Sequence, residues 1–386
     1  MDFKLNEDQL SVQELARQFS EEICAPEAES IDREHRFPEE TWKKMVESGL
    51  LAINHHEAYG GTGLDKLSEV LVIEELSKAS LTHGATYALL AHGFSSFIEK
   101  YGTDEQKAYY IPKVIEEGHI GAFCLSEPGA GSDAMGIRTT AVRDGDDFIL
   151  TGSKCFITAG NIAKSHLIVA RDPALGDRAF TGFIVDEAFT KDGFGCSRVE
   201  EKMGLRGLPT VELYLDGLRV PASCVLGGKD GEGKMMHFAL GTLDGARIGT
   251  GAQALGVMEA AFDRALRYSG ERVQFGKPLN ANQGIKWTLA EMASKIEMSR
   301  LLVYHAAWLE TQQMPHSREA AMAKLYATKF GREVVNDALQ IHGGAGYMSD
   351  LPLERMYRDI KITEIYEGPS EIMKTVIANS ILKANR

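Results

Sequence analysis

The residue pattern of this 386-residue chain changes twice, and those two changes constrain the fold more than any motif does. Up to about residue 118, apolar side chains recur at helical spacing, as in Val12, Leu15, Phe19 and Ile23. Phe37-Pro38-Glu39-Glu40 reads as a helix start, with Trp42, Met45 and Val46 on one face and Gly49 ending it. Residues 67–79 and 82–101 predict two further helices. Thr103 to Gln106 predicts a capping box for another, interrupted at Pro112. From about Ile120 the runs become short and rich in β-branched and aromatic residues: 120–126, 137–143, 148–151, 155–158, 166–170, 180–185 and 211–219. Asp144-Gly145 and Gly152 supply turn chemistry between them. Strands at this spacing, with no helix between them, predict a compact antiparallel barrel or sandwich. After the glycine-rich stretch 227–233, long helical patterns return over 235–268, 281–313, 317–341 and 370–384. The order predicts an α+β chain in three parts. These are an N-terminal helical domain over 1–119, a middle β domain over 120–232 and a C-terminal helical domain over 233–386. No internal repeat is visible.

Composition narrows the function classes. A hydrophobic content of 44% and a charged content of 25% are those of a soluble globular protein, and the length allows a large core. A net charge of -13 argues against a nucleic-acid partner, while leaving room for a local basic patch that meets a phosphorylated cofactor. Cys24, Cys124, Cys155, Cys196 and Cys224 form no CxxC pair, so neither zinc nor a disulfide scaffold is indicated, and free thiols fit a reducing interior. The histidines, His55-His56 included, show no metal spacing. Met1 to Asp8 is charged and has no apolar run, so it is no secretory signal, and no stretch is apolar for long enough to span a bilayer. The chain reads as cytoplasmic, or as an organelle-matrix protein with its targeting segment removed.

Several stretches could carry chemistry. Glu367 lies between Tyr366 and Gly368-Pro369, at a break where a carboxylate can approach a ligand and where Tyr366 can wall it. Taken alone, that pattern reads as a solvated glutamate at a helix end. Leu125 to Asp133 is dense in small residues whose N–H groups and hydroxyls suit a polar ring edge or a phosphate; it also reads as an ordinary strand-to-strand loop. Phe156 and Thr158 stand two apart on a strand, hence on one face. Asp244 and Arg247 are neighbours on a helix, either a surface ion pair or a clamp on a ligand. Glu271 to Lys277 breaks a helix with Arg272, a residue suited to pyrophosphate. His342, in the run that closes on Gly343-Gly344, reads as structural.

Four of these stretches, Leu125–Asp133, Glu271–Lys277, Leu339–Tyr347 and Arg358–Gly368, stand together in an order that resembles the acyl-CoA dehydrogenase family of flavoproteins. The likeness covers essentially the whole chain and is nearest to bacterial short-chain members, such as butyryl-CoA dehydrogenases and acryloyl-CoA reductase subunits. It implies a helical N-terminal domain, a middle β-barrel-like domain and a C-terminal four-helix bundle, assembled as a homotetramer that binds FAD. It further implies that Phe123, Leu125, Ser126, Gly131 and Ser132 line the flavin and that Phe156, Ile157 and Thr158 flank its ring. Arg272, Gln274, Phe275, Gln283, Gln340, Ile341, Gly343 and Gly344 would reach FAD from a partner subunit. Pro369 and Glu371 complete the cofactor set. Ser132, Asp244, Arg247, Tyr366 and Gly368 would bind the acyl-CoA. Glu367 matches the family's catalytic base, and the alternative position on the preceding helix is Ala246 here. The family's usual Thr is replaced by Pro369, which removes any contact made through that hydroxyl or N–H. Phe156 stands where many members carry Trp.

The implied reaction is α,β-dehydrogenation of an acyl-CoA thioester. Glu367 takes the α-proton, hydride passes to flavin N5, and electrons leave to an electron-transferring flavoprotein. The thioester oxygen accepts from the base's own N–H and a flavin hydroxyl. No nicotinamide fingerprint is present. The alternatives are an enoyl-CoA reductase running in reverse, an acyl-CoA oxidase, and a non-catalytic flavin or acyl-CoA binding subunit. The helix over 82–101, with Tyr87, Leu89, Leu90, His92 and Phe94, would floor the acyl pocket, and its bulk suggests a short chain.

Overall fold

The computed structural model describes residues 4–384; Met1, Asp2 and Phe3, part of the charged N-terminal stretch, lie outside the described residues. Helices α1 (Glu7–Phe19), α2 (Ala25–Glu34), α3 (Glu39–Glu47), α4 (Lys66–Ala79), α5 (Leu81–Thr86), α6 (Ser95–Tyr101) and α7 (Asp104–Glu117) come first. A capping box between Asn6 and Gln9 starts α1, and a second between Thr103 and Gln106 starts α7. The buried face of α1 is Gln9, Val12, Ala16 and Phe19. Leu15, expected inside, is exposed, because small Ala16 takes the inward place where α1 packs on α4. Pro112 does not end α7: the helix continues to Glu117, pinned by buried Tyr110, Ile111, Val114 and Ile115 on either side of the proline. Residues 82–101 are not one helix. After α5 come a π-helical turn, Tyr87–Ala91, and a break before α6. Gly93 sits in that break, where an added Cβ would lie 2.3 Å from the Leu89 carbonyl oxygen.

Strands β1 (Gly121–Cys124), β2 (Thr140–Asp144), β3 (Asp147–Thr158), β4 (Ser165–Arg171), β5 (Phe180–Asp186), β6 (Phe194–Cys196) and β7 (Thr210–Pro221) form one sheet in the order β1-β4-β2-β3-β7-β6, with β5 on β4. It is an open half-barrel, and it is not purely antiparallel, since β1 runs parallel to β4 from Gly121↔Ser165 to Cys124↔Ile168. The runs 148–151 and 155–158 are a single strand with two bulges. Gly152 is therefore no turn. It lies at the first bulge with φ +151, and a Cβ there would come within 2.5 Å of Thr139 Oγ1.

The C-terminal part holds α8 (Met235–Glu271), a small hairpin of β8 (Val273–Gln274) and β9 (Lys277–Pro278), then α9 (Gln283–Thr311), α10 (Ser317–His342), α11 (Gly344–Tyr347), α12 (Leu353–Ile360) and α13 (Ser370–Ala384). Helix α8 is the axis of the molecule and packs on α10, α9 and α4. Its small residues permit this: a Cβ on Gly256 would sit 2.1 Å from the Glu74 carbonyl oxygen of α4. One hydrophobic core runs through both helical parts, from Val12 to Ile360, while the sheet keeps its own. Among the described residues, no helix is long and apolar enough to cross a membrane.

The three parts meet at Arg358. Its guanidinium makes paired bonds to Asp32 of α2 (3.0 and 2.6 Å), binds Glu354 (2.8 and 3.0 Å) and donates to the Met203 carbonyl (3.2 Å). Neighbouring Asp359 is buried and accepts the Leu205 N–H at 2.8 Å. Burial pushes its carboxyl up to about 6, against an ordinary 3.8. A raised folded-state value means that the buried acid favours the fold below pH 4 and costs stability as pH climbs through 6. The cost at neutral pH is on the order of 3 kcal/mol. Asp359→Asn keeps an oxygen for the Leu205 N–H and removes the charge. Thermal melts are expected to show the variant stabilised at pH 7.5, with the gain shrinking steadily as pH falls from 6 to 4; a pH-independent difference would contradict this.

Candidate active site

Glu367 lies in the link between α12 and α13. Its φ is +52, a left-handed value uncommon for a non-glycine residue, and Gly368 follows at +93. Such a conformation costs on the order of 1–3 kcal/mol and persists only where its surroundings hold it. Here the Tyr366 N–H donates to the Ile362 carbonyl (3.0 Å), and the Tyr366 hydroxyl donates to Gln253 Oε1 of α8. On the other side, Lys324 of α10 donates from Nζ to the Gly368 carbonyl. Pro369 stands just ahead of Ser370, the first residue of α13, and its carbonyl accepts from Ile372 (2.9 Å) and Met373 (3.1 Å).

The charges around Glu367 are buried ones. Burial raises its carboxyl above the usual range, and the Lys324 and Arg247 cations pull it part of the way back. Burial in turn lowers Lys324 to about 8, opposed by the Glu367 charge. Arg247 is only 6% exposed and bonds Asp244 at 2.7 Å. The surface ion pair that helix spacing suggested is therefore an interior one, because α8 is wrapped by α4, α9 and α10 at this level. A carboxyl raised above its ordinary range by burial, on a strained turn and tuned by two buried cations, can accept a proton from a weak carbon acid.

A second group lies on the sheet. The loop Leu125 to Asp133 leaves β1, and the Ser126 carbonyl accepts the Cys155 N–H at 2.9 Å, which sets the loop against β3. Lys154, buried, donates to the Leu125 carbonyl (3.1 Å) and to Glu127 (2.8 Å), and Glu127 also accepts the N–H groups of Arg138 (2.6 Å) and Thr139 (3.0 Å). At the second bulge of β3, Phe156 has φ +57 and is 74% exposed. Gly131 faces open space, and Ser132 is exposed. Thr158 is half-buried, whereas the Ile157 side chain packs in the sheet core. The ring of Phe123 stacks on Phe97 of α6 at 4.6 Å.

A third group lies elsewhere. Arg272, Gln274 and a fully exposed Phe275, at φ +52, are on the β8–β9 hairpin, and Gln283 opens α9. Gln340 and Ile341 end α10, with Gly343 at φ +58 and Gly344 beyond. Tyr268 stacks on His342 at 4.2 Å, bringing the base of the hairpin beside this helix end, which is the structural part expected of His342. Gly343 is 19 residues past Lys324 on a continuous helix, so ~28 Å separates them at 1.5 Å per residue. Within one copy the third group does not meet Glu367. Of the residues on the 82–101 stretch, Tyr87 and His92 are buried and stacked edge to face at 5.0 Å, and among the described residues neither Tyr87 Oη nor His92 Nε2 has a hydrogen-bond partner. Sequence reasoning missed Lys324, Gln253 and the Glu127–Lys154 pair. For Lys324 a signal existed: it is a lone charge among alanines on the inward stripe of an amphipathic helix.

The sequence matches the acyl-CoA dehydrogenase N-terminal domain over residues 6–118, the middle domain over 122–218 and the C-terminal domain over 233–382. The chain belongs to the acyl-CoA dehydrogenase family. It is thus a flavoprotein oxidoreductase. It is 47% identical to acryloyl-CoA reductase (NADH) of Anaerotignum propionicum, over 99% of this chain and 96% of that one. Butyryl-CoA dehydrogenase from Megasphaera elsdenii superposes with a TM-score of 0.94 at 38% identity, covering 99% of this enzyme and 100% of that chain. A chain in a structure described as the electron transferring flavoprotein of Acidaminococcus fermentans, bearing on flavin-based electron bifurcation, gives a TM-score of 0.95 at 42% identity, covering 99% of this enzyme and 100% of that chain.

The Glu127–Lys154 pair generates a stability test. Lys154→Met leaves a buried carboxylate with only two N–H donors, a loss of about 3 kcal/mol. Chemical denaturation is expected to show most of that loss recovered in Lys154→Met/Glu127→Gln. A double variant no more stable than the single one would mean that the pair does not act as a unit.

Proposed function

We propose that this enzyme dehydrogenates a short-chain acyl-CoA thioester between its α and β carbons, with Glu367 as the base and FAD as the resident cofactor. The observation that carries the reading is the left-handed Glu367 turn, with its raised carboxyl flanked by buried Lys324 and Arg247. The residues present fit the flavin. The Phe156 ring lies bare at a bulge, the loop beside it opens at Gly129 and Gly131, and Ser126, Ser132 and Thr158 offer hydroxyls to polar edges. When bound, FAD supplies the two-electron acceptor for the hydride that leaves the β-carbon.

The chain's own residues do the rest. The Glu367 carboxylate takes the α-proton, and an acyl chain lying over it raises its proton affinity further by excluding water. Among the described residues the Glu367 N–H has no acceptor, which leaves it to donate to a thioester oxygen, where charge develops. Arg247, bonded to Asp244 and lowering the Glu367 carboxyl through its charge, acts in this reading as a charge tuning the base rather than as a clamp on the outer CoA. The ~28 Å between Lys324 and Gly343 supports a cofactor shared between copies: Arg272, Gln274, Phe275, Gln283 and Gln340 to Gly344 serve a neighbouring subunit of a homotetramer. Pro369 and Glu371, at the head of α13, complete the set. Electrons leave to an electron-transferring flavoprotein.

The reverse direction, reduction of an enoyl-CoA, is favoured by one observation, the identity to acryloyl-CoA reductase. The same geometry serves it, with Glu367 returning the proton to the α-carbon.

Purified protein is expected to be yellow and to release FAD; a colourless protein that FAD does not reconstitute would sink the reading. In anaerobic titrations across a panel of acyl-CoA thioesters, the bound flavin is expected to bleach with short chains, and NAD is not expected to replace the external acceptor. Glu367→Gln is expected to bind butyryl-CoA and to lose about 100- to 10,000-fold in the rate of bleaching. Retention of most activity would remove Glu367 as the base. In the wild-type enzyme the acid limb of that rate is expected above the ordinary glutamate value of about 4.3.

A further inference from the structure

The reaction assigned to Glu367 leaves a buried cation beside it without a task. Lys324 is 1% exposed on the inward side of α10, and Ala320, Ala321, Ala323 and Ala327 around it are fully buried. A lysine in such surroundings normally surrenders its charge or acquires a carboxylate partner. Among the described residues no carboxylate comes within ion-pair distance of it, and its hydrogen bond goes to the Gly368 carbonyl. The charged groups that face it are Glu367 from the link after α12, Arg247 from α8, and Glu364 from the turn that closes α12. Two of these are already engaged. Glu364 binds Arg332 (3.2 Å) and Lys361 (2.6 Å), and Arg247 binds Asp244 (2.7 Å). Among the described residues, Glu367 is the facing carboxylate without an ion-pair partner of its own.

We propose that Lys324 is a positioning residue for the base: its ammonium holds the Gly368 carbonyl, which fixes the left-handed turn at Glu367, and its charge keeps the Glu367 carboxyl ionised inside the protein. The proposal rests on the reading of Glu367 as the base. The two tasks follow from one placement. Burial alone favours the protonated acid, which cannot accept a proton. A cation held on the carbonyl of the next residue, Gly368, favours the anion, and its effect grows as substrate expels water and the local dielectric falls. A backbone carbonyl as the direct partner leaves the carboxylate oxygens free for the substrate, which an ion pair at bonding distance would not.

The test uses the FAD-loaded enzyme in three variants, with Glu367→Gln as the control. Lys324→Gln retains a donor without charge, Lys324→Met retains neither, and Lys324→Arg retains both. Two readouts are taken across pH: anaerobic bleaching of the flavin by butyryl-CoA, and infrared titration of the substrate-free Glu367 carboxyl, assigned by the band that Glu367→Gln removes. Lys324→Gln and Lys324→Met are expected to move the carboxyl titration and the acid limb upward by about one pH unit, and Lys324→Arg to restore both. A carboxyl titration at its wild-type position in Lys324→Gln overturns the proposal, and so does a shift in Lys324→Arg as large as that in Lys324→Gln. If Lys324→Met does not fold, the Gln and Arg pair still decides. Full activity in Glu367→Gln would instead remove the base assignment, while the infrared titration would still report whether Lys324 and Glu367 are coupled.

Discussion

The guanidinium of Arg358 closes three lengths of chain onto one another. Its partners are Asp32, 326 positions earlier, Glu354 on its own helix, and the Met203 carbonyl of the middle domain, 155 positions away. Paired, charge-assisted bonds of this kind impose direction as well as attraction. With Asp359 holding the Leu205 N–H one residue further on, the loop around residue 204 is locked on α12. A Cβ on Gly204 would come within 2.6 Å of Asp359 Oδ1, so only glycine fits there. Glu367 is nine residues beyond Arg358. Where the base stands relative to the sheet, and hence to any ligand lying on Phe156, is decided at this junction.

Much of that architecture was legible in the sequence, and the parts that were not share a physical cause. The long helices α8, α9, α10 and α13 were predicted within a few residues because their helical patterns run over many turns, while the short α11 and α12 were not, and the Thr103 capping box was predicted because its signal is local. The parallel pairing of β1 with β4 could not be read, since those partners are 44 positions apart and nothing local records which edge a short strand will meet. Nor could Gly93 and Gly152 be told from turn glycines: each answers a close approach of other backbone or side-chain atoms. Pro112 reads as a helix breaker, yet the packing of its neighbours outweighs one missing hydrogen bond.

The candidate site divides the same way. Glu367 and the loop at 125–133 stood out as residue types beside glycine and proline, where backbone is exposed. The charges that tune Glu367 did not. Spacing alone makes Asp244 and Arg247 a surface pair, and only the wrapping of α8 by three helices puts them inside. Lys324 looks like any helical lysine until its neighbours prove to be alanines buried on every side. Burial is a property of the whole fold, and it is burial that turns these side chains from solvated ions into groups that act on one another.

That dependence bears on α10 in particular. It carries Lys324 near its start and Gln340 at its end, and its 26 residues pack along α8 and α9 without a break. In the proposed assembly the first end supports the base of one subunit and the second reaches the cofactor of its neighbour. A rigid helix fixes the distance between those two places. Small residues at Gly331, Ala327 and Ala323 let it lie close on α8, so that distance follows from core packing and not from loop geometry. A change that shifts α10 along its axis would therefore disturb the base in one subunit and the cofactor contact in the next by the same displacement. Such a shift is resisted by the whole α8–α10 interface rather than by any single bond.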